Sequence, residues 1–357
     1  MRDRTTFKPF GETGIVLAAD QYPLLKPVVA LVGPTAVGKS AVGLRLAQAL
    51  ETEVLAADSR QVYRGMDIGT DKPCSEELRT VPHRLIDLVD PDQPFNVGLY
   101  RRHAENEIAR LHQQGKLPLV VGGTGLYIRA LLRGLCEGPP ADWTMRMRLE
   151  EEARTQGAES LHRKLADVDP AAAERLHPHD QVKIIRALEV YARTGRALSG
   201  IHGAHRFAES PYASLTIGLL RERNELYRRI EERIDGMLAR GLREETQRLL
   251  DRGYGPHLGA MRGVGYKQMA GYLLGDYDYE EAVRRLKRDT RRFAKRQLTW
   301  FRAEPDIHWV AIAPKETAEQ ATARVLALVR DFLARLVSDR VPARSQTDLS
   351  SVGAGAR

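Results

Sequence analysis

The chain opens without a sustained period, and residues 1–26 read as a loosely ordered extension. "PVVALVG" (27–33) is then an unbroken apolar, β-branched run ending in glycine, which predicts a buried parallel strand. "KSAVGLRLAQAL" (39–50) switches to the helical period, with Val42, Leu46, Ala49 and Leu50 on one face. "TEVLAADS" (52–59), "RLIDLVDP" (84–91) and "LPLVVGG" (117–123) predict three more strands, and "NVGLYRRHAENEIARLHQQG" (96–115) predicts a helix. Strand, helix, strand in this rhythm specifies a parallel sheet wound with helices. From about Asp142 the pattern becomes helical and highly charged ("DWTMRMRLEEEARTQGAESLHRKLADVDPAAAERL", "DQVKIIRALEVYARTG") with no strand between. "YASLTIGLL" (212–220) returns to a strand. "NELYRRIEERIDGMLARGLREETQRLLDRG" (224–253) predicts a long helix or helix pair striped by Ile230, Ile234, Met237 and Leu238. The expected organisation is an α/β core at 27–141 and 209–338 with C-terminal helices, a helical insertion at 142–208, and a disordered tail at 339–357. No internal repeat is found.

Composition narrows this little. Of 357 residues, 43% are hydrophobic and 29% charged, which fits a soluble globular chain able to bury a sizeable core. No apolar run approaches the roughly 18 residues of a membrane span, and "MRDRTTFKPF" lacks the apolar segment of a secretory signal. Cys74 and Cys136 match no metal-ligand spacing and are expected as reduced thiols in a cytoplasmic protein. The formal net charge of +8 favours a polyanionic partner. "RRLKRDTRRFAKRQLTWFR" (284–302) interleaves Phe293, Trp300 and Phe301 with Arg and Lys. Two readings stand for it: a phosphate-tracking surface with stacking aromatics, or a solvated amphipathic helix with Leu286, Phe293 and Leu298 packed inward.

The clearest chemistry lies at "GPTAVGKS". Gly33, Gly38, Lys39 and Ser40 fit G-x-x-x-x-G-K-[ST] between a strand and a helix. Gly33, Pro34, Thr35, Ala36, Val37, Gly38, Lys39 and Ser40 then form a loop whose backbone N–H groups surround a diphosphate-like group. Lys39 reaches the outer phosphate, and the Ser40 hydroxyl suits a bound Mg²⁺. A switch-type NTPase also wants an acid ending a neighbouring strand. "LPLVVGGTG" offers none, and Asp87 and Asp90 close no uninterrupted apolar run. Asp58 ends the second strand, where parallel sheets face their ligands; taken alone, a strand-end Asp more often just caps the next helix.

"GPTAVGKS", "ADSRQVYRGMDIGTDKP", "PHRLIDLVDP", "VGGTGLYIRALLRGL" and "RGVGYKQM…KRQLTWFR" occur in one order along the chain. Together they resemble the tRNA dimethylallyltransferase (tRNA isopentenyltransferase) family, from about Val28 to about Trp309. The resemblance implies a P-loop NTPase-like parallel sheet flanked by helices, with a helical insertion domain for tRNA and a helical C-terminal part. It implies transfer of a dimethylallyl group from dimethylallyl diphosphate, with Mg²⁺, to N6 of the adenosine 3′-adjacent to the anticodon. The enzyme so implied is a cytoplasmic monomer using the tRNA anticodon stem-loop, with no membrane and no obligate protein partner.

By the same resemblance Asp58 is the base, Lys39, Thr35 and Arg223 hold the diphosphate, and Thr124 serves the reaction centre and the tRNA. The tRNA contacts it implies are Asp58, Ser59, Arg60, Gln61, Thr124 and Arg146. Further contacts fall at Val182 to Arg186, including Lys183, and at Arg262 to Lys267. Among these, Val182, Ile184 and Ile185 are expected as helix core. Val37 departs from a small family residue, and Lys183 from a common arginine, losing a bidentate fork. The absence of a Cys/His zinc-finger extension implies a minimal, bacterial-type enzyme. Two rival classes remain in view. A P-loop kinase leaves the basic C-terminal third without a purpose, and a non-enzymatic RNA-binding module leaves Lys39, Ser40 and Asp58 without one.

Overall fold

A strand that is apolar on every face needs cover on both sides, and β1 (Pro27–Val32), all six residues of which are buried, has it. The computed structural model describes residues 21–135, 138–205 and 211–338. β1 pairs on one side with β4 (Leu119–Gly122) and on the other with β5 (Ala213–Leu220). Beyond these lie β2 (Val54–Ala57), β3 (His83–Arg84) and β6 (Ile307–Ala311), giving one parallel sheet in the order β3-β2-β4-β1-β5-β6. The chain runs from β1 out through β2 to β3 at one edge, then returns through β4 and passes β1 to reach β5 and β6, and the segments that follow β1, β2 and β4 line one cleft. This is the expected helix-flanked parallel sheet.

The helices of this unit are α1 (Tyr22–Leu25), α2 (Lys39–Ala49), α3 (Ser75–Thr80), α4 (Val97–Gln113) and α5 (Gly125–Arg133). Five helices of a second unit come next, and α11 (Arg223–Ala239), α12 (Leu242–Asp251), α13 (Tyr266–Leu273), α14 (Tyr279–Arg302) and α15 (Ala318–Ser338) complete the first. α2 packs on β4 and α15. Its buried stripe is Val42, Gly43, Leu46 and Ala47, so the inner face is rotated from the expected one and leaves Ala49 and Leu50 half-buried. Gly43 lies under the Val121 side chain, where a Cβ would stand 3.1 Å from it. In α11 the stripe is Leu226, Ile230, Ile234 and Met237, with Leu238 at its margin.

Other expectations need correction. "RLIDLVDP" is not a strand: after β3, Leu85 (φ 66°) and Asp87 (φ 53°) adopt left-handed backbone, which no strand tolerates. One bridge, Tyr63 to Val89, survives there, and Lys72 holds the segment by ion pairs to Asp87 (2.5 Å) and Asp67 (2.7 Å). α1 falls inside the expected loose extension, and the sequence reading did not include β6, of whose five residues only Val310 is buried. The 284–302 stretch is an amphipathic helix that buries Leu286, Ala294, Gln297 and Phe301. Phe293 does not pack inward; it is 37% exposed and, with Arg296, lines the cleft.

The second compact unit is Leu132–Ser210, against the expected 142–208. It contains α6 (Trp143–Gln156), α7 (Ala158–Val168), α8 (Pro170–Arg175), α9 (Gln181–Thr194) and α10 (Leu198–His205) around a core of Leu149, Leu161, Leu165, Ile184, Ile185 and Leu188. Gly157 (φ 85°) separates α6 from α7. Asp169 ends α7 and caps α8, its carboxylate accepting the Ala172 N–H (3.0 Å) ahead of a proline at the first helical position. Val182, expected as core, is 80% exposed on α9, while Ile184 and Ile185 are buried. Cys136, residues 1–20 and the tail from 339 lie outside the described residues; Cys74 is exposed.

Candidate active site

The phosphate loop is shaped by its two glycines and by arginines behind it. Gly33 has φ 143°, and a Cβ there would stand 2.8 Å from the Leu219 carbonyl oxygen, so β5 excludes any other residue. Gly38 (φ 112°) begins α2. Arg229 Nε donates to the Ala36 carbonyl (3.1 Å) and Arg221 Nε to the Val37 carbonyl (2.9 Å). A trans peptide sets its N–H opposite its carbonyl, so drawing Val37's oxygen to Arg221 turns the Gly38 N–H away from that arginine. These contacts hold the loop ready for an anion.

Thr35, Lys39 and Ser40 carry the loop into the lining of a cleft of about 950 Å³. Lys39 Nζ donates to the Pro34 carbonyl (2.7 Å). Burial, and then the neighbouring Arg233 guanidinium, push its ammonium down to about 7 against the opposite pull of the Asp58 carboxylate. Thr35 is held twice: its hydroxyl accepts from Arg233, and its N–H donates to Gln297 Oε1 (2.9 Å). Gln297 Nε2 donates in turn to the Gly123 carbonyl (2.9 Å), joining the loop to the end of β4 through one buried amide. Gly123 leaves room for that amide, and Gly125 for the Trp300 ring; a Cβ at either would collide.

Asp58 follows β2 and lines the same cleft. Its Oδ1 accepts the Arg60 N–H (2.8 Å) and the Gln61 N–H (3.4 Å), an Asx turn that fixes the carboxylate at the strand end. Thr124 sits beside it, donating its N–H to the Ala57 carbonyl (3.1 Å) and accepting the Ser59 N–H on its hydroxyl (3.0 Å). The cleft thus brings an anion-binding loop and a carboxylate together, as the sequence led us to expect for Asp58, Lys39, Thr35, Thr124 and Ser40.

Arg223 is placed elsewhere. It is exposed at the start of α11, its guanidinium over the Tyr227 ring (5.3 Å), and is not in the cleft lining. The arginine of that helix that reaches the loop from the cleft side is Arg233, ten positions on, on the helix face turned toward Thr35, while Arg229 braces the Ala36 carbonyl. Nothing in the sequence separates Arg223 from Arg233, since both lie in one charged amphipathic helix. Arg221, Arg229 and Gln297 went equally unmarked, although Gln297 lies within "KRQLTWFR".

The residues expected to meet tRNA divide into three groups. Ser59, Arg60, Gln61 and Arg262 line the cleft. Arg60 Nη1 donates to the Gly259 carbonyl (2.6 Å), and Gln61 Nε2 to the carbonyls of Thr70 (3.2 Å) and Asp71 (3.1 Å), so Gln61 is a brace of the wall. Lys267 is exposed in the first turn of α13, outside the lining. Within the helical unit, Arg146 grips the fully buried Glu189 with both Nε and Nη2 (2.8 Å each), and Arg186 joins it. Burial alone would raise the Glu189 carboxyl, but hydrogen bonds from Arg146, the Asp142 N–H and Arg186 hold it at about 2. Arg146 and Arg186 are therefore structural cations of that unit, while exposed Lys183 pairs with half-buried Asp180 (2.5 Å).

Two family models match the chain: IPP transferase over residues 61–304 and isopentenyl transferase over residues 26–93. It is 54% identical over 283 residues to a tRNA dimethylallyltransferase of Geobacter sulfurreducens, covering 79% of this chain and 91% of that one. A tRNA dimethylallyltransferase of Syntrophobacter fumaroxidans is 50% identical over 304 residues, 85% and 86% of the two chains. Among solved structures, the tRNA isopentenylpyrophosphate transferase of Bacillus halodurans superposes with a TM-score of 0.66 at 40% identity, over 87% of this chain and 98% of that one. A eukaryotic dimethylallyltransferase acting on tRNA superposes with a TM-score of 0.73 at 27% identity, over 87% and 80%. With its loop, its strand-end carboxylate and a match of this extent, the chain belongs to the tRNA dimethylallyltransferase family.

Proposed function

We propose that this chain transfers the dimethylallyl group of dimethylallyl diphosphate to N6 of the adenosine 3′-adjacent to the anticodon in tRNA. The observation that carries this reading is the single cleft lined by both the Lys39 end of the phosphate loop and the Asp58 carboxylate. The allylic C1–O bond breaks, and its electron pair leaves with the diphosphate. The loop's N–H groups, Lys39 and Arg233 stabilise that charge as it develops. The adenine N6 forms the new N–C1 bond and gives one proton to Asp58, which the Asx turn holds at the strand end. Thr124, hydrogen-bonded beside that turn, is placed to orient the acceptor. A base stacked in its loop cannot reach this depth, so the adenosine must be extruded into the cleft.

The Ser40 hydroxyl, an oxygen donor in the cleft lining, suits a hard cation such as Mg²⁺. Bound through Ser40 and the donor's phosphates, Mg²⁺ would neutralise charge on the departing diphosphate. Arg60 and Arg262 at the cleft, with Lys267 and Lys183, provide the phosphate contacts, and Arg146 and Arg186 act through the fold of the helical unit. No described helix is long and apolar enough to cross a membrane; we place the reaction in the cytoplasm, on free tRNA.

The test is direct. Unmodified tRNA, dimethylallyl diphosphate and Mg²⁺ are incubated with the protein, and the tRNA is digested to nucleosides for mass analysis. One adenosine per acceptor should gain a dimethylallyl group in place of a hydrogen. Asp58→Asn should slow turnover by about 10²- to 10⁴-fold. Unmodified nucleosides from the wild-type reaction would end this reading.

A further inference from the structure

Glu245, on α12, is almost completely buried (4% exposed), is absent from the cleft lining, and belongs to no part of the chemistry above. It is nonetheless the most heavily hydrogen-bonded carboxylate near the cleft wall. Its Oε2 accepts the N–H groups of Asp67 (3.0 Å) and Ile68 (2.9 Å), and its Oε1 accepts those of Ile68 (3.1 Å) and Gly69 (3.1 Å). The Tyr266 hydroxyl donates to the same Oε1 at 2.6 Å. Three successive backbone N–H groups turned toward one point make an anion nest, and here the anion is the protein's own side chain.

The two strands of chain held in this way are both walls of the cleft. Asp67 to Lys72 line it from one side, and Arg262 to Tyr266 from another. Their packing is close: a Cβ on Gly69 would lie 2.5 Å from the Tyr266 ring. Gly265 (φ 106°) gives its N–H to Gln268 Oε1 (3.0 Å), and Gln268 Nε2 reaches Asp289 on α14 (3.0 Å), which fixes the second segment to a long helix. The first segment is tied onward by Gln61, whose amide holds the Thr70 and Asp71 carbonyls and whose N–H lies in the Asp58 turn. Burial and the Glu245 charge push the Tyr266 phenol up, so it remains a donor at physiological pH.

We infer that Glu245 is a positioning residue for the acceptor: through Asp67–Gly69 and Tyr266 it sets the register of the two walls that carry Gln61 and Arg262, and so of the Asp58 turn. This rests on the transferase reading. Donor contacts are made by the loop, Lys39 and Arg233, of which Arg233 alone also meets this wall, at Asp71 (3.3 Å), beyond the residues that Glu245 holds, so the two substrates should respond differently.

Tyr266→Phe keeps the ring and its packing and removes only the hydroxyl, while Glu245→Gln keeps shape and sets an amide among donors. Steady-state kcat and KM are measured for unmodified tRNA and for dimethylallyl diphosphate, together with the folded fraction from thermal melts. Tyr266→Phe should raise the KM for tRNA by about tenfold, the loss expected for one hydrogen bond to a charged group, with the donor KM unchanged. The double variant should be no worse than Glu245→Gln alone, since both remove one unit. An unchanged KM for tRNA, with any loss of kcat tracking the folded fraction, overturns the inference, as does an equal rise in both KM values. If the wild-type protein in the same assay transfers nothing, the transferase reading falls first and this one with it.

Discussion

Single residues decide the chemistry here by what stands next to them. Lys39 is an ordinary P-loop lysine by position, but burial and Arg233 bring its ammonium down to about 7 in the ligand-free protein. A diphosphate in the loop favours the charged form, so binding should take up a proton. Donor affinity should therefore fall as pH rises above about 7, by at most tenfold per unit. Calorimetry in buffers of different ionisation enthalpy, from pH 6.5 to 9, reads that uptake; a flat affinity with no buffer dependence would show Lys39 to be charged throughout. For stability the slope has the same sign as for a paired acid, because in both the folded state binds fewer protons, although here the charged form is penalised rather than held. A lysine with a depressed folded pKa binds fewer protons than the unfolded chain, so its penalty is present below about 7 and relieved as pH rises toward 10.5. Two of the arginines of α11, Arg223 and Arg233, give a sharper contrast. Arg233→Ala should raise the donor KM by about tenfold or more, and Arg223→Ala should leave it unchanged, because Arg233 lines the cleft and touches Thr35 whereas Arg223 lies over Tyr227.

At the scale of elements, the deciding contacts join pieces far apart in sequence. Gln297 ties α14 to the loop and to the end of β4, and Arg221 and Arg229 brace the loop from β5's end and from α11. The same holds in the helical unit, where α6 and α9 meet over Glu189. The Glu189 carboxyl is held far below its unfolded value, so its contribution is present above about pH 4.3 and lost as pH falls toward 2. Glu189→Gln should lower stability at pH 7 by about 3 kcal/mol, because two cations lose their buried partner. Denaturant unfolding of the full chain at pH 7 and at pH 3 should show the difference between wild type and variant narrowing on acidification. A difference independent of pH would mean that the ion pairs do not carry the effect.

For the molecule as a whole, charge is divided unevenly. Residues 132–210 hold 12 Lys and Arg against 12 Asp and Glu, so the entire excess of +8 belongs to the α/β unit. Affinity for tRNA should therefore drop steeply with salt, by roughly 10²-fold between 50 and 200 mM if about five phosphates are neutralised. Arg262→Ala should reduce the slope of that dependence by about one, whereas Lys183→Ala, already paired with Asp180, should change it less. Binding measured across that salt range checks both. The local signals were enough for the strands β1, β2, β4 and β5, for the loop, and for Asp58, because each depends on a contiguous run, a short spacing or a strand end. "RLIDLVDP" misled because an apolar run does not reveal two left-handed backbone positions, and Val182 misled because the period does not say which flank of a helix is covered. Arg233 rather than Arg223, the Gln297 bridge and the Glu245 nest were beyond reading, since each joins residues separated by between 21 and 262 positions. Composition, period and spacing determine which segments become strands and helices and where the phosphate-loop pattern falls, because those properties act over a few residues. Which arginines meet that loop, and which carboxylate ties the walls of the cleft, is decided only when packing brings distant side chains within hydrogen-bond reach.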